Sequence, residues 1–177
     1  MPGFDAIYKQ TVTLFNRVKD DNDEEFFIPT VLPAVHLVID HSAVWNTYGG
    51  QQSDNVRLHV RYLQSEKGPT IGDKRYVEPK DWKRLKSFDE IITFRYGNDN
   101  DFDFFVKDSF EVDSEKTVGS ITANGETVTL SNGFISDMAY DEYRGFYNYL
   151  NKMYDHVFAV TAVSQYNLIP HFEIMAR

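Results

Sequence analysis

The chain has 177 residues, 42% of them apolar and 15% aromatic, no cysteine, and a formal charge of −9 from 27 acidic and 18 basic side chains. The absence of cysteine excludes disulfides, thiolate nucleophiles and cysteine-ligated metal clusters. The acidic balance argues against a surface that grips phosphate backbones, although it permits DNA to pass nearby without sticking. A chain of this length suits one domain, 1–177, and its 14 Phe, 11 Tyr and 2 Trp favour strands, where flat rings pack on a pleated surface. The start, Met1-Pro2-Gly3-Phe4-Asp5, lacks the basic end and apolar run of a signal peptide. No apolar stretch approaches the ~20 residues that span a bilayer. Folding in a cytoplasm, away from membranes, is the expectation.

Tyr8 to Lys19 reads as a strand, with Val12 and Leu14 alternating against polar neighbours. The polar turn Asp20 to Glu25 and the apolar run Phe26-Phe27-Ile28 then Thr30-Val31-Leu32 make a hairpin the economical reading. Pro29 and Pro33 cannot donate ladder hydrogen bonds, so this second strand belongs at an edge or bulge. Val35, Leu37 and Ile39 suggest a third strand, and Tyr48 to Ser53 a loop. In the next strand Val56, Leu58, Val60 and Tyr62 share one face, opposite Arg57, His59 and Arg61.

Ser65 to Lys74 reads as a loop broken by Gly68-Pro69 and Gly72-Asp73, and Pro79 opens a short helix near 79–86. Two strands follow, Ile91 to Tyr96 and Phe102 to Val106, around the polar turn 97–100. Asn124-Gly125 marks a hairpin within 121–130, closed by Ser131-Asn132-Gly133. The principal helix is expected over 137–154, where Tyr143, Phe146, Tyr147, Leu150 and Tyr154 form one stripe. Ser136 or Asp137 caps it, and Gly145 admits a close neighbour. Val157 to Val163 and Phe172 to Ala176 close the chain as strands. Many short strands, one main helix and no βαβ rhythm predict a β-dominated α+β fold, an antiparallel barrel or sandwich with a helix packed on it.

Sequence motifs for chemistry are sparse. The five histidines form no H-E-x-x-H pair, and His59 on its polar face reads as a surface residue. Asp99, Asp101 and Asp103 resemble the opening of a calcium loop. However, Phe104 and Phe110 stand where that loop needs glycine and glutamate, so Asp101 and Asp103 read more simply as the wet face of a strand. The acidic run 20–25 reads as a solvated hairpin tip. No phosphate-binding glycine loop and no G-x-S-x-G is present. Trp45, Tyr48, Tyr76 and Trp82, in or near loops, are candidate interface anchors, with burial under a loop as the alternative. No catalytic, cofactor or metal residue is assigned.

Four stretches carry a resemblance. They are Tyr8 to Asn16, Thr30 to His36, Tyr76 to Trp82, and the close formed by Asp155 to Thr161 with Pro170 to Ile174. Together they resemble small phage and prophage proteins of Gram-positive hosts, encoded among capsid, head–tail connection and tail genes. The section 110–133 departs from that pattern and reads as a hairpin arm or insertion. The resemblance implies a non-catalytic virion component of the head-closure, adaptor or tail-terminator kind. Such a protein is made in the host cytoplasm and assembles into a ring with copies of itself and neighbouring head or tail proteins. Two alternatives come from the residues alone: a ligand-binding β-barrel with a cavity lined by aromatics, and a metal-dependent hydrolase using Asp99, Asp101 and Asp103.

Overall fold

The computed structural model of the chain describes residues 6–40, 56–97 and 101–177. Strand β1 (Gln10–Lys19) turns at Asp20–Glu24 into β2 (Glu25–Ile39), and β3 (Val56–Arg61) pairs with the far end of β2. A small sheet follows: β4 (Leu63–Ser65), β5 (Gly68–Ile71), β6 (Lys74–Tyr76) and β7 (Ile91–Ile92), with helix α1 (Pro79–Trp82) between the last two. Then come β8 (Phe104–Lys107), the hairpin β9 (Thr117–Ala123) and β10 (Glu126–Ser136), helix α2 (Phe146–Met153), and the strands β11 (Val157–Tyr166) and β12 (His171–Ala176). The order β1-β8-β11-β12-β3-β2, with β2 returning to β1, closes an antiparallel six-stranded barrel. The expected β-dominated architecture is therefore a barrel rather than a sandwich.

Alternation along the strands fills the interior. Val12 and Leu14 of β1, Leu37 of β2, Leu58 and Val60 of β3, Phe105 of β8, Val160 of β11 and Phe172 and Ile174 of β12 join one cluster, with Tyr76 and Phe94 stacked against it. Most of these side chains are buried to 2% exposure or less. The outer face of β1, β2 and β8 is buried as well: Phe15, Phe27 and Phe104 pack against Tyr140, Phe146 and Leu150. A third cluster joins Val18, Phe26 and Ile28 to Trp82 and Phe88 and to Ile121, Val128 and Phe134 of the hairpin.

The two segments read as separate strands, 26–32 and 35–39, are one 15-residue strand. Val12 faces Leu32 whereas Gln10 faces Val35, so Pro33 and Ala34 together oppose Thr11 in a bulge. Ala34 has φ 56°. Between Ile28 and Val35 the strand has a ladder partner in β1 alone, because β10 pairs only at Phe26 and Phe27 and β3 only from His36 onward. Both prolines sit where a missing N–H costs least, as expected.

The stretch 65–74, expected as a loop, forms the short strands β4 to β6, too brief and too poor in apolar alternation to signal themselves. The hairpin turns at Asn124 (φ 54°) and Gly125 (φ 76°), as its sequence predicts. It does not close at 131–133: β10 runs on to Ser136 through a wide bulge between Thr129 and Phe134. Nor is 110–133 a projecting arm. Ile121, Ala123, Val128 and Leu130 join the third cluster, Phe110 and Val112 pack on the second, and the Asp21 carboxylate accepts the Asn124 and Gly125 N–H groups at 2.8 and 2.9 Å. The acidic tip at 20–25 is thus tied to the hairpin.

The principal helix also differs. Residues Asp137–Tyr143 form a 3₁₀ helix, Arg144 turns left-handed at φ 62°, and α2 begins only at Phe146. A Cβ on Gly145 (φ 115°) would lie 2.9 Å from the Asp137 carboxylate, which accepts the Phe146 N–H at 2.8 Å. The glycine does admit a close neighbour, and that neighbour is the cap of α2. The stripe survives the break: Phe146 and Leu150 are fully buried, whereas Tyr154 lies past the helix end and is exposed.

Candidate functional site

The β1–β8 ladder stops at Phe15. Beyond it the backbone of β1 would lack partners on that side, and side chains take them over. The Arg17 N–H donates to Asp103 Oδ1 at 3.0 Å, and the Arg17 carbonyl accepts Trp82 Nε1–H at 3.1 Å and a short bond from Arg95 Nη2. Asp103, just before β8, is fully buried. Its Oδ2 accepts from Asn16 Nδ2 at 2.9 Å and the Arg95 N–H at 2.8 Å, and its Oδ1 also meets Arg95 Nη2 at 3.3 Å. Burial pushes this carboxyl above its usual range, opposed by the Arg95 guanidinium and the surrounding donors. Expected on a wet strand face, Asp103 is instead the sealed centre of the network.

Above it opens a cleft of about 450 Å³ lined by Arg17, Glu25, Trp82, Lys83, Arg95 and Asp101. Arg17 continues into a second recess of about 260 Å³, its guanidinium carbon 5.3 and 5.2 Å from the ring centres of Phe27 and Phe102. Arg17 pairs with Glu25 at 2.9 Å, and Arg95 and Lys83 pair with Asp101 at 3.0 and 2.7 Å. Burial raises the Asp101 carboxyl, but the Lys83 hydrogen bond and the charges of Arg95, Lys83 and Arg17 outweigh it, holding the group below its usual value. The cleft is cationic, with Arg17, Lys19, Lys83 and Arg95 against the carboxylates of Glu25 and Asp101. Among its described residues it holds no histidine or hydroxyl nucleophile, and its carboxylates are spent on arginine and lysine. Its ion pairs tie β1, β2 and the segments at Lys83, Arg95 and Asp101 to one another.

Asp99 lies outside the described residues, and Asp101 and Asp103 do not converge on a common open point. Trp45 and Tyr48 also lie outside the described residues. Tyr76, a candidate anchor, is a core residue instead, stacked 5.8 Å from Phe94 and tilted against Phe172 at 4.5 Å. Trp82 is buried likewise, under the hairpin.

Two other features were hidden in the sequence. The first is a row of imidazoles on the outer barrel face. His36 faces His59 across β2 and β3, and His59 faces Glu173 across β3 and β12, with His171 two residues before Glu173 on the same face. The His36 and His59 rings stack at 5.4 Å, and His59 and His171 are 5.5 Å apart. Burial holds the His59 imidazole below its ordinary value; Glu173 opposes this, while His171, His36 and Arg57 add to it. Alternation places each residue on the outer face of its own strand, but only register brings the strands' residues together.

The second feature is an apolar tip at the β11–β12 turn. Leu168 is 98% exposed and Leu63 75%, with Tyr166 and Ile169 also exposed. The turn is fixed, not loose: Tyr62 Oη bonds the Tyr166 carbonyl at 2.9 Å and Asn167 Oδ1 at 2.6 Å, and the Tyr62 N–H donates to the Pro170 carbonyl.

No helix among the described residues is long and apolar enough to cross a membrane. No curated protein and no solved structure matches the chain. Residues 7–177, the hairpin section 110–133 included, match the model of a family of unknown function designated DUF6751, and the chain belongs to that family.

Proposed function

We propose that this protein is a non-catalytic structural component that assembles through protein–protein contacts, and that its place is the head–tail junction of a tailed phage. The observation that carries the assembly reading is the braced apolar tip. A rigid turn presenting Leu168 and Ile169 to water, beside exposed Leu63 and Tyr166, is costly in an isolated molecule and suits a surface that a partner covers. Repetition of one such contact from copy to copy closes into a ring when the rotation permits. The phage assignment rests on the sequence resemblance. A net charge of −9 fits a component that DNA slides past without being held.

The competing readings have less support. A ligand-binding barrel needs an open interior, and this interior is filled by Leu14, Leu58, Phe105, Phe172 and Ile174. A hydrolase on Asp101 and Asp103 needs free carboxylate oxygens, and these are occupied by Lys83, Arg95, Asn16 and backbone N–H groups.

Quantitative mass spectrometry of particles purified from an induced source strain tests the role. A small fixed copy number relative to the portal protein is the expected result. Absence from particles, with the protein abundant in the lysate, rejects it.

A further inference from the structure

We propose that His59, His171 and Glu173 form a binding site for one divalent first-row transition metal ion, zinc foremost, on the outer face of the β3–β12 pair. Each residue offers one ligand atom, and the three atoms lie within 4.8 Å of one another. Among the described residues this is the one group of three or more histidine and carboxylate side chains so arranged. The Nδ1 of His59 is already 3.9 Å from Oε2 of Glu173. Two ligand atoms on a tetrahedral zinc are roughly 3.4 Å apart, so the set closes on an ion when its atoms draw together by up to about 1.4 Å.

Backbone and ring contacts orient the set in advance. The His171 Nδ1 lies 2.7 Å from the Ile169 carbonyl. A bond of that length requires Nδ1 to carry the proton, which leaves the Nε2 lone pair for a ligand. A metal-bound imidazole is held in this way, by a donor bond from its other nitrogen to a carbonyl or carboxylate. The Tyr166 ring lies parallel to His171 at 4.8 Å and 8°, fixing the plane of the imidazole. On the far side of His59 the stacked His36 ring limits its rotation. All three ligand residues are half-buried, so the ion would be reachable from solvent yet partly shielded from it.

The donor set selects the ion. Two imidazoles and one carboxylate are too few oxygens for calcium or magnesium, and no thiolate is present to favour copper(I). Zinc is bound in this way by three protein ligands, with a fourth position left to water or an incoming group. All three ligands come from one chain, so the isolated protein should bind the ion without an assembly partner.

Untagged, chelator-treated full-length protein titrated calorimetrically with zinc chloride should bind one equivalent. His171→Ala and Glu173→Gln should each weaken binding at least tenfold, while His156→Ala, outside the cluster, should leave it unchanged. Cobalt(II) added to the wild-type protein should give the intense visible bands of a four-coordinate site, which does not depend on any variant folding. Thermal melts confirm that each variant is folded. No heat with zinc and no cobalt spectrum overturns the proposal, as does binding that persists undiminished in folded His171→Ala.

Discussion

The two polar clusters of this barrel contrast in what their lone pairs are doing. At Asp103 each carboxylate oxygen faces two donors, and the group has no capacity left for anything outside the protein. At His59, His171 and Glu173 the one close hydrogen bond among the described residues is the one that orients His171, and it leaves the second ring nitrogen of that histidine for a ligand. The first cluster lies under a cleft and the second on an open barrel face, so depth alone would rank them the wrong way round. A buried carboxylate surrounded by donors replaces missing backbone partners, whereas half-buried groups with free lone pairs can take a ligand.

Substitutions sharpen that contrast. Asp103→Ala should have the largest effect, a loss of about 3–5 kcal/mol, because it leaves the buried Arg17 and Arg95 N–H groups without an acceptor and removes one of the two carboxylates that balance the Arg95 guanidinium. Chemical denaturation of the full chain measures it, and a loss below about 1 kcal/mol would break the structural reading of the network. Gly145→Ala should cost about 1–3 kcal/mol, since alanine must adopt φ 115° and meet the Asp137 carboxylate that caps α2; helical circular dichroism and the melting midpoint should fall together. His59→Ala should change stability by only about 0.5 kcal/mol in metal-free buffer, as expected of an outward-facing side chain, while abolishing the stabilisation that added zinc gives wild type. A large metal-free loss would instead make His59 a packing residue.

The smallest effect concerns pH. The folded carboxyl of Asp101 is depressed, so its ionised form adds stability above the unfolded value of about 3.9, and that contribution disappears as pH falls through the folded value. The difference in melting midpoint between wild type and Asp101→Asn should therefore be visible at neutral pH and vanish in strong acid. The groups facing Asp101 are Lys83, Arg95 and Arg17, and a difference that persists at low pH would assign the effect to packing. Because Asp101 is substantially exposed, solvent screening keeps the difference small.

Local patterns set much of this molecule in advance. Period-two alternation in Val56 to Tyr62, the Asn124-Gly125 turn, the prolines of β2 and the Phe146–Leu150 stripe are each decided within a few residues, because side-chain direction and allowed φ are local properties. Those features made the β-dominated fold legible. What only the tertiary structure decided is which faces meet. Asp103 looked wet because its strand alternates; it is sealed because Arg95 and β1 close over it. Tyr76 looked like a loop residue, and its burial comes from Phe94 and Phe172, both distant in sequence. The break at Arg144 depends on where the Asp137 carboxylate sits, and the histidine row on the register of β3 against β12. Burial and register are properties of pairs of segments far apart in the chain, and no window of the sequence contains both partners.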